Sequence, residues 1–569
     1  MKTFLRKHGI DLAAGLLMTV IVLFPYLTKA FLPIEHDTFF HLSRIENLSK
    51  AIRDGSFLPA VYPYENGGYG YASPLFYSDV FLIVPALLHI AGLPLTFCYK
   101  FIVFVFTYAS ALTMMWLAFH ITKKRSVSLL AACIYLFSNY RITDIYVRGA
   151  LGECLAFAPL PLVILGMYMI MAEKDTEKWP VLTAGLSVLA LCHNLTFLFG
   201  SVLCVIFFLV MVRSLNKDMF ISLCKGVGCA FLLTSFYTIP MIEQLRSQKF
   251  IVGLYAASSD LGSAAMSFRQ FFANKTIFGF SGHATPPESA MLVNVGLSAT
   301  FLPLLYLFCK EKNRFMTAMV ILGYIFLILP GTWTPWDHLT FLRVIQFPWR
   351  LSTPALLLLC VPAAYACCEL FPKAVIPVFC LILSAECVWH VLPVYTRTFG
   401  MPSGMSWDEV LDGALCDPYY SAYYVRVELA GADYLPQNAP DFRGRDGSLR
   451  INGIPRPEIE MKKYSTRLLF ELDEADCAVS LPITWYKGYL ITRTYEGKTE
   501  ILKAMPDTEA MVSFYSAGPG TYVCMYQDTG VRTAFMNVTW ITAVLLILLA
   551  ADRRNGGKII ARIRKNLPF

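Results

Sequence analysis

Charge is what this sequence has least of. Only 15% of its 569 residues are Asp, Glu, Lys or Arg, while 56% are hydrophobic. A soluble globular domain carries about a quarter charged residues. A soluble fold is therefore excluded, and the mean hydropathy of +0.53 reads as a multi-pass membrane protein. The sixteen cysteines include no CxxC pair, and most stand inside apolar runs, as Cys98, Cys133, Cys154, Cys204, Cys229, Cys360 and Cys380 do. Cys416, Cys477 and Cys524 stand far apart in polar sequence, which argues against a disulfide framework. No small-residue cleavage site follows the first apolar run, so that run is expected to remain as a helix. Internal repeats and low-complexity tracts are lacking. The net charge of +8 is ordinary where cytoplasmic loops collect Lys and Arg, and it does not call for nucleic acid.

What is present is a series of long apolar runs. Twelve segments approach the roughly 20 residues that a spanning helix needs: 11–31, 98–121, 127–139, 153–172, 180–193, 196–213, 219–241, 289–309, 315–331, 351–370, 373–394 and 534–551. A thirteenth stretch, 75–95, carries Asp79, Pro85, His89 and Pro94. The positive-inside rule decides how it is used. Lys2, Arg6 and Lys7 place the N-terminus in the cytoplasm, and Lys123, Lys124 and Arg125 mark the next cytoplasmic turn. Two spans fit between them, so 75–95 is expected not to cross. The remaining basic turns then alternate correctly, and 32–97, 242–288 and 395–533 fall outside.

The last outer region differs in kind. Residues 466–525 read as short alternating strands punctuated by Gly and Pro, a compact β-rich domain of sandwich type. The organisation is thus a polytopic α-helical membrane domain at 1–394 with outer loop 32–97, an extracytoplasmic β-rich domain at 395–533, and a final helix with basic tail at 534–569.

Ionisable residues are costly at membrane depth, so their placement is informative. They gather at outer turns. Glu35, His36, Asp37 and His41 follow the first run. Arg141, Asp144, Arg148 and Glu153 occupy "NYRITDIYVRGALGE". His193, Glu243 and the group Asp337, His338, Arg343 and Arg350 mark three further turns. Acids, bases and cations converging from separate turns are the pattern of a catalytic or ligand site. Each also has a plainer reading. Asp37 is placed to cap the amphipathic segment 38–54. His36 and His41 suit metal binding or interfacial packing equally. Glu153 favours a helix N-terminus, Arg148 pairs with Asp144 or Glu153, His193 suits a helix-end hydrogen bond, and Arg350 suits snorkelling to a lipid phosphate.

Beyond these residues, "HDTFFHLSRIENLSKAIRDGSFLPAVYPYENGGYGYASPLFY", "VRGALGECLAFAPLPL", "FYTIPMIEQ", "IQFPWRL" and "LPITWYKGY" resemble a bacterial membrane family labelled "6-pyruvoyl-tetrahydropterin synthase-related". That family is akin to the YfhO-type glycosyltransferases of the GT-C superfamily. The chain lacks the zinc-binding histidine set of a soluble pterin synthase, so that activity is not carried over. The resemblance implies a GT-C-like fold of about twelve membrane helices with juxtamembrane helices. It also implies residence in the bacterial plasma membrane and transfer of a sugar from a polyprenyl-phosphate donor to an extracytoplasmic glycan or envelope acceptor. Asp37 matches the acid of the first outer loop and Glu153 that of the second. His36, His41, Arg148, His193, Glu243 and Arg350 are the candidate substrate contacts, Arg148 and Arg350 for the donor phosphate. The cofactor is left open, with room for a divalent metal ion at Glu153 or His193. The loop 250–288, mixing aromatics with Gly and Ser, suits a sugar-binding lid. The rival readings are a polytopic transporter, which would favour broken helices and an inverted repeat, and a non-enzymatic scaffold of envelope assembly.

Overall fold

The computed structural model describes residues 2–29, 32, 36–282, 285–286, 289–396, 432–442, 445–464 and 467–554. Glu35, Cys416 and the basic tail at 555–569 lie outside these residues, as does 397–431 of the expected outer region.

Among the described residues eight helices are long and apolar enough to cross a membrane: His8–Thr28, Leu95–Thr122, Leu151–Met171, Asn194–Ser214, Lys217–Ser247, Pro348–Leu370, Lys373–Val394 and Gly530–Asp552. The other four expected spans form shorter helices. Segment 127–139 folds as Arg125–Leu136 and 180–193 as Trp179–Cys192. Segment 315–331 folds as Arg314–Ile328, and 289–309 is helical only over Leu297–Phe308. The runs 127–139 and 180–193 are short in the sequence as in the structure, as helices that end early are, whereas 289–309 loses its first eight residues to non-helical chain. The stretch 75–95 yields a 3-10 turn, Val80–Leu82, and an eight-residue helix, Ile83–Ile90.

Burial sorts the long helices. Leu151–Met171 and Pro348–Leu370 are 89% and 94% buried by their neighbours, whereas Gly530–Asp552 is 6% buried. On the peripheral helices Leu209, Leu381 and Ile547 are exposed, an arrangement that only a lipid surround accommodates. The chain is a multi-pass membrane protein. Close helix contact inside the bundle uses small residues. A Cβ on Gly166 would lie 2.7 Å from the backbone of Leu182, so the Leu160–Met171 and Trp179–Cys192 helices meet through that glycine.

At one end of the bundle the Thr38–Arg53 helix lies almost wholly buried. Arg44 anchors it through Asp79 at 2.5 Å, and Tyr62 also donates to Asp79 at 2.5 Å. At the same end sits a β sandwich. Its strands are β1 (Leu449–Ile451), β2 (Ile454–Arg456), β3 (Met461–Lys463), β4 (Arg467–Leu472), β5 (Ala475–Thr484), β6 (Tyr489–Tyr495), β7 (Lys498–Leu502), β8 (Met505–Pro506), β9 (Met511–Ala517) and β10 (Gly520–Tyr526). They form two antiparallel sheets, ordered β2-β1-β5-β9-β8 and β3-β4-β10-β6-β7. Alternate residues of β4, namely Leu468, Phe470 and Leu472, point inward, as the two-residue period of a strand requires. Phe470 packs on Tyr522 of its own sheet and Phe514 of the other. Such side chains contribute about 1.5–3 kcal/mol each on burial.

The sandwich is fastened to the bundle by directed bonds. Gln244 exchanges two hydrogen bonds with the backbone of Lys487, at 2.6 and 3.1 Å. Thr484 donates its amide to the carbonyl of Tyr69 at 2.7 Å. The segment 432–437 is laced to 249–252: Val252 donates to the Asp433 carbonyl at 2.7 Å, and Ile251 to that of Leu435 at 3.0 Å.

Candidate active site

The turn "TDIYVRGALGE" is the floor of the site. Residues Asp144–Arg148 form a single π-helical turn, closed by Gly149 at φ 59. That left-handed conformation suits glycine. Such turns are frequent where a side chain must be re-aimed at a functional site. Two tyrosines, one on each side, tie the turn to the first helix. Tyr26 donates to the Ile145 carbonyl at 3.0 Å, and Tyr146 of the turn donates to the Val22 carbonyl at 2.8 Å.

Within this frame Arg148 is paired with two carboxylates. It donates to Asp144 and, at 2.8 Å, to Glu153, and its guanidinium lies 4.8 Å over the ring of Trp349. Glu153 is equally occupied, accepting from Tyr140 at 2.7 Å and Thr353 at 2.9 Å on its other oxygen. Glu153 and Arg148 are 2% and 5% exposed. Both alternatives for Arg148, pairing with Asp144 or with Glu153, are realised together.

Asp37 is placed differently. Its amide donates to the Arg148 carbonyl at 2.8 Å, and the amide of His36 donates to that of Val147 at 3.3 Å. The backbone that follows the first helix is thus stitched onto the π-helical turn. Asp37 occupies the N-cap position of the Thr38–Arg53 helix, yet its side chain makes no capping bond. The carboxylate is half-buried and forms no ion pair among the described residues. Burial pushes it above its ordinary value, against the opposing pull of Arg148 and Arg350, with Glu153 adding to the rise.

Arg350 is the cationic counterpart. It donates to Gln346 at 2.5 Å and to the Ile345 carbonyl at 3.3 Å, but its buried Nε has no hydrogen-bond partner. No carboxylate pairs with it among the described residues. His193 has Glu153, Arg350 and Arg148 as its charged neighbours. Its Nδ1 lies 2.8 Å from the Thr196 hydroxyl and caps the Asn194–Met211 helix, the helix-end role open to it.

Other expected members stand apart. His36 stacks on Phe280 with centroids 4.4 Å apart. His41 is buried beside Arg44, at 3.1 Å, and against Tyr77. Glu243 is not drawn into the site: it pairs with Lys487 at 2.9 Å and accepts from Thr529 at 2.6 Å, tying its helix to the sandwich. The lid segment is also anchored, since Met266 exchanges backbone bonds with Pro330 and Thr332 at 2.8 and 3.0 Å. Among the described residues no group of three or more His, Cys, Asp or Glu is arranged to hold a metal ion. Both Glu153 oxygens already accept hydrogen bonds, and Nδ1 of His193 is held at Thr196.

Two residues were invisible to sequence reasoning. Tyr77 reaches Gly152, with its hydroxyl pressed against the glycine, and has Arg44 4.3 Å over its ring. Asp37 and Glu153 are among its charged neighbours. Asp433, far along the chain, has Asp37 and Arg350 as its charged neighbours; burial, then the charge of Asp37, push its carboxyl up to about 7. Its position follows from the 249–252 pairing and from Tyr434, which stacks on Phe76 at 4.9 Å. Neither contact has a local sequence signal.

Comparison with known proteins finds no matching family model and no matching curated protein. Among solved structures, arabinofuranosyltransferase AftD from mycobacteria is similar at TM-score 0.44 and 13% identity, covering 92% of this chain and 40% of that one. A mutant form of the same enzyme is similar at TM-score 0.41 and 14% identity, over 68% and 27%. This chain spans less than half the length of AftD.

Proposed function

We propose that this protein is a membrane glycosyltransferase of the GT-C type. It moves a sugar from a polyprenyl-phosphate donor to a glycan or envelope acceptor on the extracytoplasmic side of a bacterial plasma membrane. The observation that carries the reading is that Asp37 and Arg350 lie within electrostatic reach of one another at the end of an apolar bundle, and neither forms an ion pair among the described residues. Asp37 is a carboxylate with no capping bond and no ion pair, and Arg350 is a guanidinium with an unused buried donor.

The roles follow from that geometry. A polyprenyl chain is apolar and travels in the bilayer. Phe341 and Val344, 74% and 52% exposed, offer it a surface on the turn leading to Arg350. The Arg350 guanidinium holds the donor phosphate by charge-assisted hydrogen bonds. Arg148, already neutralised by two carboxylates, serves instead to fix the turn. An acceptor hydroxyl is a poor nucleophile, and Asp37 takes its proton as the oxygen attacks the anomeric carbon. The new bond forms as the bond to the phosphate oxygen breaks, the electron pair leaves on the phosphate, and the anomeric configuration inverts. Asp433, whose carboxyl burial pushes up to about 7 with Asp37 among its charged neighbours, receives the proton from Asp37 and resets it. Glu153 holds Arg148, Tyr140 and Thr353 in register.

The test is direct. Purified protein in lipid nanodiscs is incubated with polyprenyl-phosphate sugars and candidate envelope glycans, beside Asp37→Asn. Transfer by wild type and its loss in Asp37→Asn support the reading, and normal transfer by Asp37→Asn removes Asp37 as the base.

A further inference from the structure

A separate cavity of about 190 Å³ lies between the outer loop 56–70 and the sandwich. Lys50, near the C-terminal end of the Thr38–Arg53 helix, lines one side, and Lys463, Arg467, Tyr489 and Tyr526 line the other. Asp37 stands at the opposite end of that helix. A rise of 1.5 Å per residue sets the two places about 20 Å apart.

The lining combines two kinds of surface. Tyr64, Tyr69, Tyr464, Tyr489 and Tyr526 supply aromatic rings with hydroxyl edges. Tyr489 and Tyr526 meet edge to face at 5.4 Å. Rings of this kind pack against the C–H faces of a sugar while their hydroxyls hydrogen-bond its rim.

The second surface is cationic and incompletely neutralised. Lys463 donates to the Gly68 carbonyl and lies 5.9 Å over the Tyr64 ring. It meets no carboxylate among the described residues, and burial pushes its ammonium down to about 8. A charge held partly out of water is normally paired, and this half-buried ammonium has no anionic partner among the described residues. Arg467 lies 5.0 Å over the Tyr464 ring and likewise forms no ion pair among the described residues. The rim carboxylate, Asp528, is already engaged by Arg532 at 3.2 Å, and Glu46 holds Lys50 at 3.1 Å.

We propose that this cleft is a second binding site, for a saccharide segment bearing an anionic group such as a uronate carboxylate or a phosphate. The tyrosines stack on its rings, and Lys463 and Arg467 neutralise its charge. Naming that saccharide as the acceptor rests on the transferase reading, whereas the binding itself does not.

The experiment is calorimetric titration of the full chain in zwitterionic nanodiscs with no sugar donor present, so that binding is read apart from transfer. The probes are a galacturonate hexamer, a phosphorylated maltohexaose and neutral maltohexaose. Wild type is expected to bind at least one anionic probe more tightly than the neutral one, with affinity falling as salt is raised. Lys463→Gln and Arg467→Gln should each weaken that probe by about tenfold. Arg467 is exposed, so its loss reports on the cleft even where Lys463→Gln lowers the melting temperature. Asp37→Asn should bind as wild type does. Equal binding of all probes, binding of none, or an unchanged Arg467→Gln affinity overturns the proposal. Repeating the titration in phosphatidylglycerol nanodiscs tests a lipid occupant: if the anionic lipid abolishes saccharide binding, the cleft is a headgroup site and the proposal fails.

Discussion

The amide of Asp37 donates to the carbonyl of Arg148 across 2.8 Å. Through that bond the position of the proposed base depends on the π-helical turn, and the turn depends on Arg148 bridging Asp144 and Glu153. A carboxylate with no side-chain bond of its own is held in place by its backbone.

Asp37→Asn is therefore expected to separate activity from stability. The carboxylate makes no capping bond, so the amide should leave the melting temperature close to that of wild type. Transfer should fall by about 100- to 10,000-fold, the usual contribution of a general base. Parallel thermal unfolding and single-turnover assays check both halves.

Asp433 predicts a pH dependence. Its carboxyl is raised from 3.8 to about 7. A raised carboxylate holds more protons in the folded chain than in the unfolded one. Its contribution to stability is thus lost as pH rises from about 4 to about 7. Asp433→Asn should be more stable than wild type at pH 8 and no more stable at pH 4. Wild-type transfer should rise through pH 7, and the variant should lack that limb. Unfolding and rate profiles across this range measure both.

Glu153→Ala removes one of two partners from a buried arginine. Breaking such a pair costs about 3–5 kcal/mol, so the variant should unfold far more readily. Glu153→Gln can still meet Tyr140 and Thr353 and should lose less. If Glu153→Gln is as stable as wild type but inactive, Glu153 acts on substrate rather than on Arg148.

Gly149→Ala tests the turn without touching a charged group. Its φ of 59 is costly for a residue with a Cβ, by about 1–2 kcal/mol. Because Asp37 hangs from the preceding residue, transfer should fall further than the stability loss alone accounts for. Comparing the fold-change in kcat with the shift in melting temperature decides it.

Sidedness is open to labelling. In intact cells a membrane-impermeant maleimide should react at Glu496→Cys in the sandwich and not at Lys124→Cys in the basic turn. Both positions are exposed, so reaction at Lys124→Cys would reverse the orientation.

How much of the site was legible differs by residue. Asp37 stood out because a carboxylate directly after an apolar run is energetically conspicuous. Arg148 and Glu153 stood out as charges spaced five apart in otherwise apolar sequence, and the structure joins them at 2.8 Å. Glu243 looked like their equal, since a charge at a helix end reads the same whether it faces a cavity or a lysine. Only the docked sandwich shows that it faces Lys487. Asp433 gave no signal, because an aspartate in polar loop sequence is unremarkable until long-range pairing with 249–252 carries it in.

By itself the sequence determined the medium and the parts: apolar runs long enough for lipid, a β-rich region, and a collection of charges too costly to scatter at random. These follow from composition and periodicity, which act locally. The tertiary structure decided which charges are spent and which are left over. Arg148 and Glu153 pair with each other, whereas Asp37 and Arg350 form no ion pair among the described residues and Arg350 keeps one buried donor unused. That distinction rests on distances between turns far apart in the chain. Whether a buried charge is costly, structural or available depends on its neighbours in space, which the order of residues does not display.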